Sequence, residues 1–598
     1  MAQFFEVRYS KRFRIFAGIL MWVSGVVNFG IFPSVGARFF IYYCGLPETV
    51  PGLGISTYAL VMLILLGIAL FFVFLGGQIA VMVTDFFQGM FTNVVLLIIM
   101  AVIFVMFDWS GMIEALKTAP AEASRLNPFH TGKVEGFNIF YFLIGAFTSI
   151  YCCRAWQGSQ GYNCSAKSAH EARMAGILGE WRGLVLILLV MLLPIGAWCV
   201  MEGGQYPEVA EQVTGVLNEI ENPMVRSQVT VPIVLARLLP VGVAGLLGAV
   251  MLCAFITTHD TYLHSWGSIF VQDVILPFRK KPFAPKTHLW LLRGSILFVA
   301  VFIFLFSLLW HQTDFILMFF ALTGAIYLGG AGSVILGGLY WKRGSAAGAW
   351  VAMIVGSTIG VSGLILQNTW AGSVYPWMTA HTPQLLSQLR WVIEGIANAV
   401  PGINWTVGPE KFPFHGQWMN FFAMSSAILC YVGCSLYSWL ILRRPAFDMD
   451  RMLHRGKYAI KGDHAKNVEM PPVGLRAIRP SAEFSRSDKC IYYAKLIWTL
   501  TWFAIFAVGT IWNLSCDVSN DAWAVFWWWK IVVTVVIGVG TTIWFFLGGV
   551  HDMIDLYRTL RTVQRDHLDS GMVVGHHNLG EEAEDKELVG TGEQERVE

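Results

Sequence analysis

The sequence predicts an all-α protein that crosses a membrane many times. Composition is the first observation behind this. Of 598 residues, 56% are hydrophobic and 13% charged, with a mean hydropathy of +0.58. A soluble domain carries about 25% charged residues. The second observation is that runs of roughly 20 apolar residues recur, each long enough to cross a hydrocarbon core of about 30 Å as a helix. The third is that no series of alternating segments of about 10 residues appears, as a transmembrane barrel would need.

The apolar runs predict twelve spans, at 15–45, 53–77, 84–107, 135–156, 177–201, 237–272, 288–310, 314–341, 347–366, 416–442, 490–513 and 524–548. The first and sixth exceed one crossing and are expected to tilt, kink or protrude. Basic residues orient them. Arg8, Lys11, Arg12 and Arg14 precede the first span. Arg279, Lys280, Lys281 and Lys286 follow the sixth, Lys342 and Arg343 the eighth, and Arg443 and Arg444 the tenth. All fall on one side if the first span runs outward, which puts both termini of this chain in the cytoplasm of a multi-pass cell-membrane protein. Arg154, near the inner end of the fourth span, reads as a further anchor on that side.

Trp527, Trp528, Trp529 and Lys530 form an interfacial belt at one span's edge. The ten cysteines lie mostly in spans and show no CxxC spacing, so they read as small apolar residues. The expected organisation is a core over 1–366, an extracellular loop over 367–415, a further span at 416–442 and a cytoplasmic loop over 443–489. Two more spans lie within 490–548. The acidic tail 549–598 is cytoplasmic and partly disordered.

Chemistry concentrates in three stretches. In "CAFITTHDTYLHSWGSIFVQD", Cys253–Asp273, Thr257, Asp260, Thr261 and His264 share one helix face. Hydrocarbon cannot satisfy such groups. Hydroxyls that bond back to carbonyls three or four residues earlier account for a bare Thr pair. A titratable pair of Asp260 with His259 or His264 points instead to an ion or substrate path. If the helix loosens, the Ala254 carbonyl and the Thr257 and Thr258 hydroxyls converge as oxygen ligands for a small hard cation. In "FLGGQIAVMVTDFFQG", residues 74–89, Gly76 and Gly77 break the chain and Asp85 is either a helix N-cap or a carboxylate on a cation path. The third stretch, "WQGSQGYNCSAKSAHEAR", residues 156–173, leaves the fourth span for a cytoplasmic amphipathic segment.

Together these stretches resemble the solute:sodium symporter family. Its members pair a "GG-x-x-AV-x-x-TD-x-x-Q" turn with a "W-x-x-x-Q…AAKS-x-x-EA" segment and a later "LP-x-G-x-x-G…A-x-x-S-[ST]". Here these read "GGQIAVMVTDFFQ", "WQGSQGYNCSAKSAHEA" and "LPVGVAGLLGAVMLCAFITTHDTYLHSWGSIFVQD". "GGLYWKRGSAAGAW", residues 337–350, is similar to a further family signature. The likeness covers roughly residues 1–365; spans after 416 match in hydropathy alone.

The resemblance implies the LeuT-type fold, two inverted five-helix repeats around a midplane site. It implies sodium at Ala254, Thr257 and Thr258, with Asp85 linked to sodium passage. It maps Ser149, Cys152 and Gln157 to the region that contacts substrate or gate. Asp260 departs from the family's small residues there and is a candidate proton or cation site. "FFEVRYSKRFRIFAGILMWVSG" looks like the start of the third core helix, just after Met1. The expectation is therefore a chain whose first core helices are missing.

The implied function is sodium-coupled symport of a small polar solute across a lipid bilayer. Na⁺ is the co-transported ion, and neither a permanently bound cofactor nor a nucleic-acid partner is expected. No catalytic triad, zinc site or Walker loop is present, so an enzyme is not expected. The alternative is a non-transporting sensor or scaffold, or an inactive truncated member. Its output would have to pass through the short loop 443–489 and the tail.

Overall fold

The computed structural model describes residues 2–134, 136–152, 155–166, 168–279, 281, 283–452, 478–480 and 483–562, with a pair of two-residue strands at 573–574 and 577–578. Arg154, Lys280, most of the loop 443–489 and the tail beyond 562, apart from those strands, lie outside the described residues.

Helices follow one another along the whole described chain. α1 (Ala2–Arg8), α2 (Lys11–Phe29) and α3 (Phe32–Cys44) lead into α4 (Thr57–Met106) and α5 (Trp109–Lys117). α6 (Ile139–Cys152) and α7 (Gln160–Cys164) precede α8 (Ala169–Glu202), α9 (Pro207–Asn218) and α10 (Pro223–Leu238). Next come α11 (Val241–Ile269), α12 (Pro285–Leu309), α13 (Ile316–Tyr340) and α14 (Ala346–Thr369). The last are α15 (Tyr375–His381), α16 (Pro383–Ala399), α17 (Gly416–Leu440), α18 (Met449–Met452), α19 (Arg486–Ser515) and α20 (Asn520–Thr562). Starts are set chemically. Hydroxyls of Ser10, Ser56, Ser168 and Ser345 accept first-turn amides of α2, α4, α8 and α14, and Ser485 with Asp488 forms a capping box on α19.

Among the described residues, ten helices are long and apolar enough to cross a membrane, where the sequence predicted twelve spans. Two differences account for this. The runs 53–77 and 84–107 join into the single 50-residue α4, whose only non-helical residue is Gly77 at φ 55°, ψ −151°. A straight helix of that length would reach about 75 Å. Instead both of its ends lie at one rim. Tyr58 donates to the Ser307 carbonyl at 3.3 Å near the end of α12, and Tyr206 donates to the Met106 carbonyl at 3.4 Å. Asn222, beyond α9, donates to the Gln312 carbonyl of that same rim at 3.1 Å. α4 is thus two antiparallel crossings folded at Gly77, whose backbone conformation only glycine adopts freely. The second difference is α6, which is 14 residues, about 21 Å, where 135–156 was expected.

Other boundaries also move. The first predicted span is broken at Gly30–Ile31 into α2 and α3, and α11 passes into a π-helix at Phe270–Ile275. The loop 367–415 contains α15 and α16, and α20 runs well past the predicted end at 548 to Thr562.

The densest packing joins α13, α14 and α17. A Cβ on Gly330 would lie 2.6 Å from the Met353 Cα, and one on Gly356 2.5 Å from the Gly330 nitrogen. Small residues let membrane helices approach this closely. α11 lies along α4, and its buried Leu263 and Trp266 share a core with Leu66, Ala69, Val73 and Val81 of α4. That pairing positions the polar groups below.

Candidate functional site

α11 is helical without interruption from Val241 to Ile269, so the loosened turn envisaged at Ala254 is not present. The three oxygens still meet. Thr257 Oγ1 donates to the Ala254 carbonyl at 3.2 Å and Thr258 Oγ1 to the same carbonyl at 2.8 Å. Each hydroxyl is satisfied by back-bonding. The cluster is a neutral shelf of three oxygens on one turn.

Ala254 and Thr258 also line a cavity of about 290 Å³ between α3, α10 and α11. Phe32, Phe39, Phe255 and His259 give it an aromatic wall, and Gln228 of α10 lies opposite. Gln228 Oε1 and His259 Nε2 are both buried without a hydrogen-bond partner. His259 is held in place: its Nδ1 lies 2.8 Å from the Phe255 carbonyl and its ring stacks on Phe255 at 3.6 Å.

One turn further along α11 the character changes. Asp260 is fully buried. Thr261 Oγ1 lies 3.5 Å from Asp260 Oδ1 and 3.4 Å from Asp85 Oδ2 of α4, so a single hydroxyl touches both carboxylates. The Tyr162 hydroxyl of α7 donates to Asp85 Oδ2 and lies 2.9 Å from Thr261 Oγ1. The second oxygen of each carboxylate, Asp85 Oδ1 and Asp260 Oδ2, is buried with no partner. Arg182 of α8 approaches α4 beside Gly89 and adds positive charge near Asp85.

Asp85 is not an N-cap. The helix after the Gly77 break begins at Gln78, and Thr84 simply bonds back to the Ala80 and Val81 carbonyls at 2.9 and 3.0 Å. The carboxylate is therefore on a formed helix and reaches across to α7 and α11. The expected titratable pair of Asp260 with His259 or His264 does not form among the described residues. His259 faces the aromatic cavity, and the group that meets Asp260 through Thr261 is another carboxylate.

The other predicted positions stand apart. Ser149 is exposed on α6 and bonds back to the Gly145 carbonyl at 2.9 Å. Cys152 packs at the edge of a cluster around Tyr151, Trp418 and Met424. Gln157 is buried, and its Nε2 donates to the nearby Ala155 carbonyl at 2.9 Å. The neighbouring Trp156 bonds the Tyr262 hydroxyl at 3.1 Å, so this segment meets α11 below the Thr pair. Tyr162 was not singled out from sequence. Its only signal was a hydroxyl within the quoted "WQGSQGYNCSAKSAHEA" stretch.

A family model described as the sodium:solute symporter family matches residues 1–356. The chain is 26% identical to a sodium/proline symporter 2 of Staphylococcus saprophyticus, over 49% of this chain and 53% of that protein. It is 25% identical to a sodium/pantothenate symporter of Haemophilus influenzae, over 59% and 66%. It thus spans about half to two thirds of the length of these relatives. A solved structure of a Na⁺-coupled sialic acid symporter in a substrate-bound outward-open state is similar at 16% identity and a TM-score of 0.47, covering 74% of this chain and 77% of that one. Such proteins are membrane carriers rather than enzymes. The match of more than half the chain to one family model settles the relationship: this multi-pass, all-α chain belongs to the sodium:solute symporter family.

Proposed function

We propose that the chain is a sodium-coupled secondary transporter of a small polar solute, with both termini on the cytoplasmic side. The observation that carries the reading is the pair of orphaned carboxylate oxygens, Asp85 Oδ1 and Asp260 Oδ2, on either side of Thr261. Two carboxylates in a membrane-spanning region are costly, and like charges held close oppose each other's ionisation. A cation between them removes both penalties, and a proton on one removes part. Hard cations take oxygen ligands of this kind.

The ion path in this reading follows one face of α11. Sodium meets the neutral shelf of Ala254, Thr257 and Thr258, then passes about 5 Å, one helical turn, to Asp260, Thr261 and Asp85. Tyr162 holds Asp85 toward α11. The solute occupies the cavity beside Thr258, near the lower end of the usual ligand-pocket volume of about 300–1,000 Å³, with His259 and Gln228 as polar contacts. The shared residues, Ala254 and Thr258, couple solute and ion.

The relatives' names supply a first panel of solutes: proline, pantothenate and sialic acid. The test has two layers. Thermal unfolding of the purified protein in NaCl against KCl reads ion binding, and uptake of labelled solutes into proteoliposomes under an inward sodium gradient reads coupling. Sodium-specific stabilisation together with sodium-dependent uptake is expected. Equal stability in both salts defeats the ion site. Sodium binding without uptake of any solute in a broad panel favours the sensor or scaffold.

A further inference from the structure

A second polar cavity lies at the rim that carries the basic clusters, far in sequence from the α11 site. Its volume is about 200 Å³, between the end of α13, the start of α14 and the end of α17. Three arginines line it: Arg8, Arg343 and Arg444. None of its described lining residues is acidic, and among the described residues neither Arg343 nor Arg444 makes an ion pair with a carboxylate.

The floor is built and buried. Arg8 is 4% exposed and donates to the carbonyls of Gly338, Trp341 and Gly344 at 2.9, 3.1 and 3.0 Å. Its donors therefore close the end of α13, while its charge remains under the cavity. Ser438 of α17 is 3% exposed, and its hydroxyl has no partner. Ser345 caps α14 through the Gly348 amide at 3.0 Å, which leaves the first-turn amides of Ala346 and Ala347 without an intrahelical acceptor. This 24-residue helix thus presents the positive end of its dipole to the cavity that Ala346 lines.

The walls are held by the backbone. Arg443 sits at φ 48°, in the left-handed region that a long side chain seldom adopts. That turn ends α17 and returns the Arg444 amide to the Ser438 carbonyl at 3.1 Å and the Phe447 amide to the Lys342 carbonyl at 2.9 Å. Arg343 Cζ lies over the Trp439 ring, 3.5 Å from its centroid, and Phe447 covers Arg8 at 4.3 Å. Two exposed guanidinium groups thus stand over a buried donor, a buried positive charge and a helix N-terminus.

The geometry points to a site for a phosphate group, carried by an anionic phospholipid. Arginine forks and helix amides are both matched to phosphate oxygens. The lipid source follows from the surroundings. Tyr340, Tyr437, Leu440, Ile441 and Leu442 next to the cavity are 50–83% exposed, an apolar skirt suited to acyl chains below a headgroup. Basic residues at the end of a membrane helix recognise acidic headgroups in this way. The site is independent of the sodium reading above.

The test titrates the purified full chain in detergent with phosphatidylglycerol, with phosphatidylcholine of the same acyl chains, and with inorganic phosphate. Native mass spectrometry reads bound lipid and thermal unfolding reads stabilisation. Phosphatidylglycerol is expected to bind roughly tenfold more tightly than phosphatidylcholine, and the double substitution R343Q/R444Q to weaken it roughly thirty-fold. R343K/R444K keeps the charge and should retain most of the binding, which separates loss of the site from loss of fold. Ser438→Ala should weaken binding a few-fold and leave the lipid-free unfolding temperature unchanged. Equal affinity for the two lipids, or unchanged binding in R343Q/R444Q, overturns the site. Inorganic phosphate that stabilises as well as phosphatidylglycerol overturns the lipid as its source.

Discussion

At Ala254–Thr258 each threonine hydroxyl of α11 has a carbonyl to donate to; one turn later, around Asp260 and Thr261, the carboxylate oxygens Asp260 Oδ2 and Asp85 Oδ1 accept from no donor among the described residues. Both stretches are polar and lie in the same helix. They differ in what they cost without a ligand. The back-bonded hydroxyls lose nothing when no ion is present, since the helix itself satisfies them. A buried polar group without a partner costs about 1–3 kcal/mol, and more when charged. The upper stretch is therefore stable whether empty or filled. The lower one has a standing deficit that a cation would remove under the proposed function, and its ion dependence should be the stronger of the two.

The sharpest way to break this contrast is Asp260→Asn. The amide keeps the shape and removes one of two opposed charges. Loss of a charge-assisted contact of about 1.5–3 kcal/mol corresponds to roughly 10–150-fold weaker sodium binding. The same change should make the sodium-free protein more stable, because an unpartnered buried carboxylate beside a second carboxylate has gone. Unfolding in choline chloride and in NaCl reads both effects. If Asp260→Asn lowers stability in choline and leaves the sodium response intact, the carboxylate pair is structural. Asp85→Asn is expected to behave in the same sense with a smaller gain in the absence of sodium, since Asp85 is only half-buried and already bonded to Tyr162.

Thr258→Ala probes the upper stretch. It removes one of three neutral oxygens, and a neutral contact of about 1–2 kcal/mol gives roughly 5–30-fold weaker sodium binding. Thr258→Ser keeps the oxygen and should stay within about threefold. Stability without sodium should barely move in either, because the bond lost is a local back-bond. A Thr258→Ala effect larger than that of Asp260→Asn would reverse the ranking of the two stretches and make the neutral shelf the principal ion site.

Tyr162→Phe sharpens the lower stretch. The phenol ties Asp85 to α7, and without it, among the described residues, Asp85 Oδ2 keeps the 3.4 Å contact with Thr261. A single hydrogen bond of about 1 kcal/mol predicts roughly fivefold weaker sodium binding, measured by the same sodium titration. No change would mean that Asp85 is positioned by α4 alone.

Much of this was legible from residue types and spacing, and what was not has a physical reason. The Gly76–Gly77 pair marked the fold in α4, because glycine is the residue that permits the turn. The restart of the helix at Gln78 was misplaced at Thr84, because Thr-Asp is also what an N-cap looks like. The convergence of Ala254, Thr257 and Thr258 was expected from a loosened turn; on the intact helix, back-bonding at i, i+3 and i, i+4 brings the same three oxygens together. Periodicity put Asp260 and Thr261 on one face, but it carries no information about what lies opposite. Asp85 and Tyr162 reach that face from α4 and α7, across separations that only the packed fold defines. His259 is the expected partner for Asp260 by adjacency, but its imidazole stacks on Phe255, bonds the Phe255 carbonyl and lines the aromatic cavity instead. The rim cavity was hidden for the same reason. Its arginines were read as orientation signals, and their shared site depends on the left-handed turn at Arg443.

The smallest expected effect belongs to Ser149. Family resemblance mapped it to the substrate region, yet it is exposed on α6 and its hydroxyl is satisfied by the Gly145 carbonyl of its own helix. An exposed residue in that position is worth within about 0.5 kcal/mol, so Ser149→Ala should leave sodium affinity, solute affinity and unfolding temperature unchanged within about twofold. The measurement pairs the sodium titration with competition among solutes in uptake. If Ser149→Ala shifts the solute preference while sodium binding holds, α6 turns its exposed face toward the solute in another conformational state. The cavity beside Thr258 is then one part of a larger binding region. If nothing shifts, Ser149 has no part in solute recognition, and the cavity between α3, α10 and α11 stands as the proposed solute site.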